Sequence, residues 1–163
     1  MKNGSAGFVI RPVRGYELNR VMEINLATLP ENYSREFYIY IYKGWPDLFY
    51  VAEVDGDIVG YIMCRVEIGI SEFPRRFRPV RKGHVISIAV LPEYRRRGIG
   101  TALMKAVLAR MMETGIDEVY LEVRVSNLPA INMYKKLGFQ VIRTVRGYYR
   151  DGEDAYIMAR QLK

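Results

Sequence analysis

The chain has 163 residues, a formal net charge of +7, and a composition that is half hydrophobic. These values exclude a disordered tail and fit a single domain spanning residues 1–163 with a real core. No apolar run is long enough to cross a membrane, and the N-terminal residues lack the apolar centre of a signal peptide. One cysteine excludes an internal disulfide framework, so a cytoplasmic location is predicted. The positive charge favours an anionic partner without choosing among RNA, a membrane surface and a cofactor.

Apolar spacing predicts the elements in chain order. The first half contains a strand at 7–13, a helix from Glu17 to Thr28 that Pro30 ends, a second helix at 31–44, and a hairpin at 48–68 that turns at Asp55-Gly56. The second half contains a basic loop at 69–83, a strand at 84–91, a helix from Gly98 to Thr114, a strand at 118–125, a short helix from Pro129 to Leu137, and a closing hairpin of strands at 139–149 and 154–162. This order predicts a mixed α/β fold.

The stretch RRRGIGT (95–101) lies between the apolar strand and the long helix. Glycines let the backbone approach a ligand, and a helix N-terminus presents unpaired N–H groups at the positive end of its dipole. The stretch therefore predicts a phosphate-binding loop. It is neither a Walker A loop nor a dinucleotide fingerprint, since the lysine of the first and the third glycine of the second are missing. The spacing Arg95-x-x-Gly98-x-Gly100 remains as the informative pattern.

Three blocks in this order resemble the GCN5-related N-acetyltransferase (GNAT) superfamily: RRRGIGT, YLEVRVSNLPAINMYKKLGF (120–139) and GYYRDGEDAYIM (147–158). LPENY (29–33) and the last block are similar to protein N-terminal acetyltransferases, among them the archaeal enzyme, the bacterial RimI-type enzyme and the catalytic chain of the eukaryotic NatA complex. The resemblance implies the GNAT fold, an α/β fold with a mixed seven-stranded sheet flanked by four helices. It also implies that the central strands splay around acetyl-coenzyme A (acetyl-CoA).

Acetyl-CoA is the cosubstrate that the resemblance implies. The implied contacts are Ile88, Ala89 and Val90 for the pantetheine arm, Asn127 for the cofactor, Tyr134 near the coenzyme A sulfur, and the pyrophosphate loop of Arg95, Arg96, Arg97, Gly98, Ile99, Gly100 and Thr101. No metal is expected, because one histidine and one cysteine make a poor ligand set. The cysteine, Cys64, lies in a strand and is expected to be buried rather than nucleophilic.

The implied reaction is direct attack of an amine on a thioester. Deprotonating a lysine at pH 7 costs roughly 4.6 kcal/mol, whereas an α-amine costs only about 1–1.4 kcal/mol. A modest base acting through water therefore suffices for a protein N-terminus. By resemblance Glu122 is that base, and His84, the only histidine, lies on the neighbouring strand and relays the proton. The residues alone also permit a solvated strand face for Glu122 and a hydrogen-bonded strand end for His84.

Tyr134 lies on the short helix, and the resemblance makes it the general acid that protonates the leaving thiolate. Its helical neighbours are apolar, so core packing is the alternative. The substrate end is expected to involve Leu29, Pro30, Glu31, Tyr33, Tyr148 and Tyr149. Glu31 would orient the amine or act as an auxiliary base, and its alternative is an acidic N-cap of the second helix.

The partners expected from these observations are N-termini of proteins or peptides, with transient ribosome association and with no membrane and no specific nucleic acid. Combined features of the NatA and RimI types suggest broad specificity for Ser, Ala and Met-Leu starts. Three alternatives stay open: acetylation of an internal lysine or small amine, a basic RNA-binding module built on RRFRPVRK (75–82), and a cofactor-binding protein without catalysis.

Overall fold

The computed structural model describes residues 7–74 and 77–163, and in these ranges it contains seven strands and four helices. The strands are β1 (Val9–Pro12), β2 (Phe49–Val54), β3 (Asp57–Gly69), β4 (Val80–Val90), β5 (Glu118–Arg124), β6 (Gln140–Val145) and β7 (Ala155–Gln161). The helices are α1 (Leu18–Thr28), α2 (Arg35–Gly44), α3 (Ile99–Glu113) and α4 (Leu128–Lys136).

The strands form one mixed sheet in the order β1-β2-β3-β4-β5-β7-β6. Strands β1 and β2, β2 and β3, β5 and β7, and β6 and β7 pair antiparallel, while β4 and β5 pair parallel. The parallel ladder places His84 opposite Tyr120, and both strands extend beyond it. The predicted α/β fold with a mixed seven-stranded sheet and four helices is confirmed. The splay of the central strands around a cofactor stays a prediction.

The contacts between Cα atoms divide the chain into two compact units. Unit 1 comprises Met1–Arg65 and Val85–Met111, and unit 2 comprises Val66–His84 and Met112–Lys163. The prediction that residues 1–163 form a single domain stays a prediction.

Unit 1 has a core in which α1 and α2 contribute apolar side chains to the same cluster as β2 and β3. Val21, Ile24 and Ile41 are fully buried there. The buried positions of α1 recur at helical spacing and include one polar residue, Asn25. Such a position is costly for an amide unless its hydrogen bonds are made.

Unit 2 is organised by β5, whose side chains alternate between two environments. Val119, Leu121 and Val123 are buried, whereas Tyr120, Glu122 and Arg124 are only half-buried. This is the period of two that a pleated strand imposes. Strand β5 lies between β4 and β7 in the sheet, so the alternative of a solvated edge strand for Glu122 is wrong.

Two predicted elements, the second helix and the strand at 84–91, start at residues other than those predicted. The second helix begins at Arg35 rather than Glu31, because Ser34 is its N-cap and accepts a hydrogen bond from the N–H of Phe37. The alternative role of Glu31 as an N-cap is therefore wrong. Strand β4 begins at Val80 rather than His84, because Lys82 and Gly83 already belong to the parallel ladder with β5.

The basic segment 75–82 is divided by these boundaries. Arg75 and Arg76 lie outside the described residues, and Arg81 and Lys82 belong to β4. Phe77 is almost fully exposed. The closing hairpin is also shorter than predicted, since β6 ends at Val145 before the positive φ of Gly147 turns the chain.

Candidate active site

The loop that links β4 to α3 has the backbone of a tight turn. Gly98 has φ 82° and Arg96 has φ 64°, both in the left-handed region. The Nε of Arg95 donates to the carbonyl of Val90 at 2.9 Å and so ties the loop to the end of β4. Since α3 starts at Ile99, its first N–H groups have no intrahelical acceptor and present positive partial charge. This backbone arrangement suits an anionic group such as a pyrophosphate.

The arginine side chains of this loop have different surroundings. Arg95 is used within the loop itself, and the guanidinium of Arg97 lies 5.1 Å from the centre of the Tyr94 ring. All three arginines are exposed. Their charges act on a ligand through solvent and are screened by salt. The backbone N–H groups, rather than the arginine triplet, are the features that a phosphate would contact most directly.

Ile88, Ala89 and Val90 form the end of β4 in unit 1. Ala89 is buried, and Ile88 and Val90 are half-buried. The carbonyl of Ala89 would lie only 3.1 Å from a Cβ added at Gly60 on β3. A glycine at position 60 therefore allows close approach of these two strands. The predicted contacts of this segment with pantetheine stay a prediction.

His84 of β4 and Glu122 of β5 are brought together in unit 2. The Nε2 of His84 lies 2.5 Å from Oε1 and 2.9 Å from Oε2 of Glu122. Each side chain is only 13% exposed, so the pair is largely shielded from solvent. The cause is the ladder register, which sets His84 opposite Tyr120 and puts the next outward position of β5 within reach.

The second ring nitrogen of His84 has a partner as well. Its Nδ1 lies 2.9 Å from Oε2 of Glu67 on β3, and the hydroxyl of Tyr120 donates to Oε1 of Glu67 at 2.5 Å. The Tyr120 ring stacks on the imidazole with 4.2 Å between centres, and the ammonium of Lys82 lies 4.6 Å from that ring. Burial and the neighbouring Glu67 raise the pKa of Tyr120, so its hydroxyl remains a donor at neutral pH.

Asn127 and Tyr134 both belong to α4. Asn127 is the N-cap, and its Oδ1 accepts a hydrogen bond from the N–H of Ala130 at 3.3 Å. Tyr134 is buried and packs against Phe139, with 5.8 Å between ring centres. Burial raises the pKa of Tyr134, which keeps the hydroxyl protonated. Tyr134 therefore packs in the core, as the alternative interpretation expects. Its role as an acid stays a prediction.

The loop 29–33 of unit 1 is held by neutral hydrogen bonds. The Nδ2 of Asn25 donates to the carbonyl of Glu31 at 3.1 Å and to the hydroxyl of Tyr61 at 3.0 Å. Its Oδ1 accepts from the Nδ2 of Asn32 at 2.8 Å. The hydroxyls of Tyr61 and Ser87 lie 2.6 Å apart and continue this buried chain. The backbone around Glu31 is therefore fixed by one amide in the core.

Tyr33 extends the same loop toward β4. Its hydroxyl donates to the carbonyl of Ile86 at 3.3 Å, and its ring stacks on Phe37 with 4.9 Å between centres. Leu29 and Tyr33 pack against the core of unit 1, and Pro30 is exposed. These contacts order the loop, while its predicted contacts with a substrate stay a prediction.

Tyr148 and Tyr149 lie in the β6–β7 connection of unit 2. Their rings meet edge to face at 4.9 Å, and Tyr148 is about half exposed. The guanidinium of Arg124 lies 4.1 Å from the Tyr149 ring, and its Nη1 forms ion pairs of 2.8 Å with both Asp151 and Glu153. Arg124 thus fastens the tyrosine segment to the end of β5.

The sequence interpretation did not select three residues that the structure places in these networks: Asn25, Glu67 and Arg124. Asn25 had a detectable signal, since an amide occupies a buried position in the helical spacing of α1. Glu67 and Arg124 had none, because their roles depend on which strand lies next to their own. Both follow only from the sheet order.

Cys64 is fully buried, and burial raises the pKa of its thiol, as expected for a packing residue rather than a nucleophile. Among residues 7–74 and 77–163, no group of His, Cys, Asp and Glu side chains is arranged to hold a metal ion. No helix in the described part of the chain has the length and apolar character to span a membrane.

A model of the acetyltransferase (GNAT) family matches residues 18–139. The chain belongs to this family. The N-alpha-acetyltransferase of Sulfurisphaera tokodaii is 53% identical over 154 residues, which are 94% of this chain and 92% of that protein. The catalytic subunit NAA10 of the N-terminal acetyltransferase A complex of Arabidopsis thaliana is 41% identical over 150 residues, 90% of this chain and 74% of that protein. The predicted resemblance to GNAT enzymes that act on protein N-termini is confirmed.

Solved structures of the family include complexes with the donor. Arabidopsis thaliana Naa50, in complex with the bisubstrate analogue CoA-Ac-MVNAL, matches with a TM-score of 0.81 and 27% identity, covering 94% of this chain and 98% of that chain. The GNAT fold expected from the sequence is therefore the fold observed.

Proposed function

We propose that the chain transfers the acetyl group of acetyl-CoA to the α-amino group of protein N-termini. The observation that carries the proposal is the His84–Glu122 pair, which is largely shielded from solvent and has the chemistry to accept a proton from an amine. The similarity to N-alpha-acetyltransferases over nearly the whole chain supports the same reaction.

Acetyl-CoA is the donor. The N–H groups of residues 95–101 would hold its pyrophosphate, and Ile88–Val90 would pair with its pantetheine arm. Asn127 would contact the cofactor with the part of its amide that does not cap α4. When bound, the cofactor supplies an activated acetyl group as a thioester.

The first proton transfer makes the nucleophile. The substrate ammonium gives one proton to the His84–Glu122 pair, and the neutral amine then attacks the thioester carbonyl. Since an α-amine titrates near 7.7–8.0, this step costs only about 1–1.4 kcal/mol at pH 7. A C–N bond forms and the carbonyl oxygen becomes an oxyanion. Glu31, in the ordered loop of unit 1, would orient the amine or act as an auxiliary base.

The second proton transfer releases coenzyme A. The C–S bond breaks, and Tyr134 donates its hydroxyl proton to the departing thiolate. The acetylated nitrogen loses its extra proton, which restores Tyr134, and the proton held by the base returns to solvent. Burial disfavours both the phenolate and the thiolate, so the raised pKa of Tyr134 does not by itself oppose the transfer.

Substrate N-termini would contact Leu29, Pro30, Glu31 and Tyr33 on one loop and Tyr148 and Tyr149 on the other. We propose broad specificity, for small Ser or Ala starts and for Met-Leu starts. Transient ribosome association in the cytoplasm would bring the enzyme to nascent N-termini, and the net charge of +7 would favour that encounter.

Mass spectrometry of a peptide panel with acetyl-CoA tests this function. Peptides with Ser, Ala and Met-Leu starts should gain acetyl on the α-amine, and the same peptides with blocked N-termini should gain none. Equal acetylation of blocked peptides would instead identify an internal-lysine enzyme. Activity on only one class of peptide would contradict the proposed broad specificity.

Replacing Tyr134 by Phe tests the acid. The variant keeps the ring packed against Phe139 and should lower kcat by about a hundredfold, the usual size of a general-acid contribution. Phe139→Leu is the control, because it alters the same packing without touching the hydroxyl. Unchanged turnover of Tyr134→Phe would remove the acid assignment.

A further inference from the structure

Both ring nitrogens of His84 face carboxylates. Nδ1 contacts Glu67 at 2.9 Å, and Nε2 contacts Glu122 at 2.5 Å. An ionised carboxylate only accepts hydrogen bonds, so each nitrogen that carries a proton is stabilised by its own partner. The two contacts are not equivalent, since Glu67 has an additional donor and Glu122 is the residue of the proposed base.

Glu67 is itself held in place. The hydroxyl of Tyr120 donates to its Oε1, which leaves Oε2 directed at Nδ1 of the imidazole. The Tyr120 ring also stacks on the imidazole at 4.2 Å and limits its rotation. A carboxylate that already accepts one hydrogen bond from Tyr120 is fixed as the acceptor for Nδ1–H.

We propose that Glu67 is a positioning residue that keeps a proton on Nδ1 of His84 and thereby makes Nε2 the nitrogen that exchanges protons with Glu122. The inference rests on the proposed role of the His84–Glu122 pair as the base. With Nδ1–H committed to Glu67, the proton taken from the substrate amine enters between Nε2 and Glu122. The charge of Glu67 then stabilises the imidazolium that forms, as an oriented carboxylate does behind other catalytic histidines.

Among the described residues, charged and titratable groups face the imidazole from β3 and β5. Glu67 faces it from β3, and Glu122 and Tyr120 face it from β5. Lys82 lies on β4, the strand of His84. Its ammonium lies 4.6 Å from the centre of the Tyr120 ring and pairs with Glu72.

Nitrogen-15 NMR of histidine-labelled protein tests the inference directly, because the chain has one histidine and the spectrum reports one ring. In the wild type, the neutral ring should carry its proton on Nδ1, the nitrogen that contacts Glu67. A ring whose neutral form carries its proton on Nε2 would overturn the proposal. This measurement needs neither substrate nor a variant.

Replacing Glu67 by Gln gives the kinetic test. A glutamine has one carbonyl oxygen, so it cannot accept from Tyr120 and from Nδ1–H as two carboxylate oxygens do. The acidic limb of the kcat/KM profile should move about one pH unit lower, as expected when the base loses a neighbouring negative charge. The plateau of kcat/KM should fall about tenfold, with KM for acetyl-CoA unchanged.

Glu53→Gln is the matched control. Glu53 and Glu67 have the same exposed fraction, 28%, but Glu53 pairs with Arg11 in unit 1, whereas Glu67 contacts His84. The control should leave both the histidine spectrum and the acidic limb unchanged. An activity loss in Glu67→Gln without movement of the limb would mean a structural role and would overturn the proposal.

Failure of the proposed function has a different signature. If Glu122→Gln keeps wild-type kcat/KM, the pair is not the base, whatever the histidine spectrum shows. If Glu122→Gln loses activity while the wild-type ring carries its neutral proton on Nε2, the base assignment stands and the role of Glu67 fails.

Discussion

The two loops expected to contact the substrate are ordered by opposite kinds of interaction. In unit 1, the loop 29–33 is fixed by a neutral chain of hydrogen bonds from Asn25, which is 1% exposed. In unit 2, the tyrosine segment is fixed by Arg124 through two ion pairs near the surface. Buried neutral bonds are insensitive to salt and pH but costly to remove, whereas exposed ion pairs are cheap to remove and depend on both.

The largest effect should follow from Asn25→Ala. The change removes one of the two acceptors of the Asn32 amide and removes donors from the carbonyl of Glu31 and from Tyr61, so the free energy of unfolding should fall by about 2–3 kcal/mol. Urea unfolding measures this loss. The KM for peptide should rise as well, because the backbone of the loop loses its anchor.

Asn19→Ala is the matched control for this change. Asn19 lies on the same helix and also accepts one hydrogen bond, from Arg35, but it is exposed. Its loss should change the free energy of unfolding by no more than about 0.5 kcal/mol. Equal effects of the two changes would contradict the contrast between a buried and an exposed amide.

A smaller effect is expected from Arg124→Met. The methionine keeps part of the apolar cover over Tyr149 but removes both ion pairs, so KM for peptide should rise about threefold with little change in Tm. Arg143→Met is the control, since the half-exposed Arg143 forms one ion pair, with Glu72, in the same unit. Steady-state kinetics at low and high salt checks whether the lost ion pairs cause the higher KM, because salt should raise the KM of the wild type toward that of the variant. A salt-independent difference would mean that the ion pairs are not its cause.

The smallest effect concerns pH. Hydrogen bonds from the Glu153 backbone and then from Arg124 lower the pKa of Asp151, and those from Ser126 and then Arg124 lower the pKa of Glu153. Groups with a lowered pKa in the folded state contribute stability above their unfolded pKa and lose it as the pH falls through the folded value. The difference in unfolding free energy between wild type and Asp151→Asn should therefore be constant from pH 8 to about 5 and shrink below about 4. A difference that shrinks between pH 8 and 6 would point to another group.

Local patterns predicted the elements that local physics controls. The alternation of apolar residues in β5 predicted which face is buried. Asp55-Gly56 predicted a turn, which has positive φ at both residues, and Gly98 predicted the start of α3. The start of the second helix was missed, because we began it at the acidic Glu31, whereas Ser34, a better N-cap residue, is the one used.

Tertiary neighbours limited what could be predicted of the site. The sequence indicated His84 and Glu122, and the parallel register explains why they meet. It gave no indication of Glu67, because a glutamate on the outward face of a strand is ordinary until the neighbouring strand is known. Arg124 was missed for the same reason. Residue-level roles in cofactor binding come from the family resemblance and stay predictions.

Fully buried Cys64 has a practical consequence for measuring the enzyme. Acetyl transfer liberates one coenzyme A thiol per turnover, and a disulfide reagent that yields a coloured thiolate would count it continuously. The enzyme adds no background to such an assay while it is folded, because its single sulfhydryl is shielded and its pKa is raised. The same reagent, added without substrate, reports opening of the core as a slow rise in colour of one equivalent.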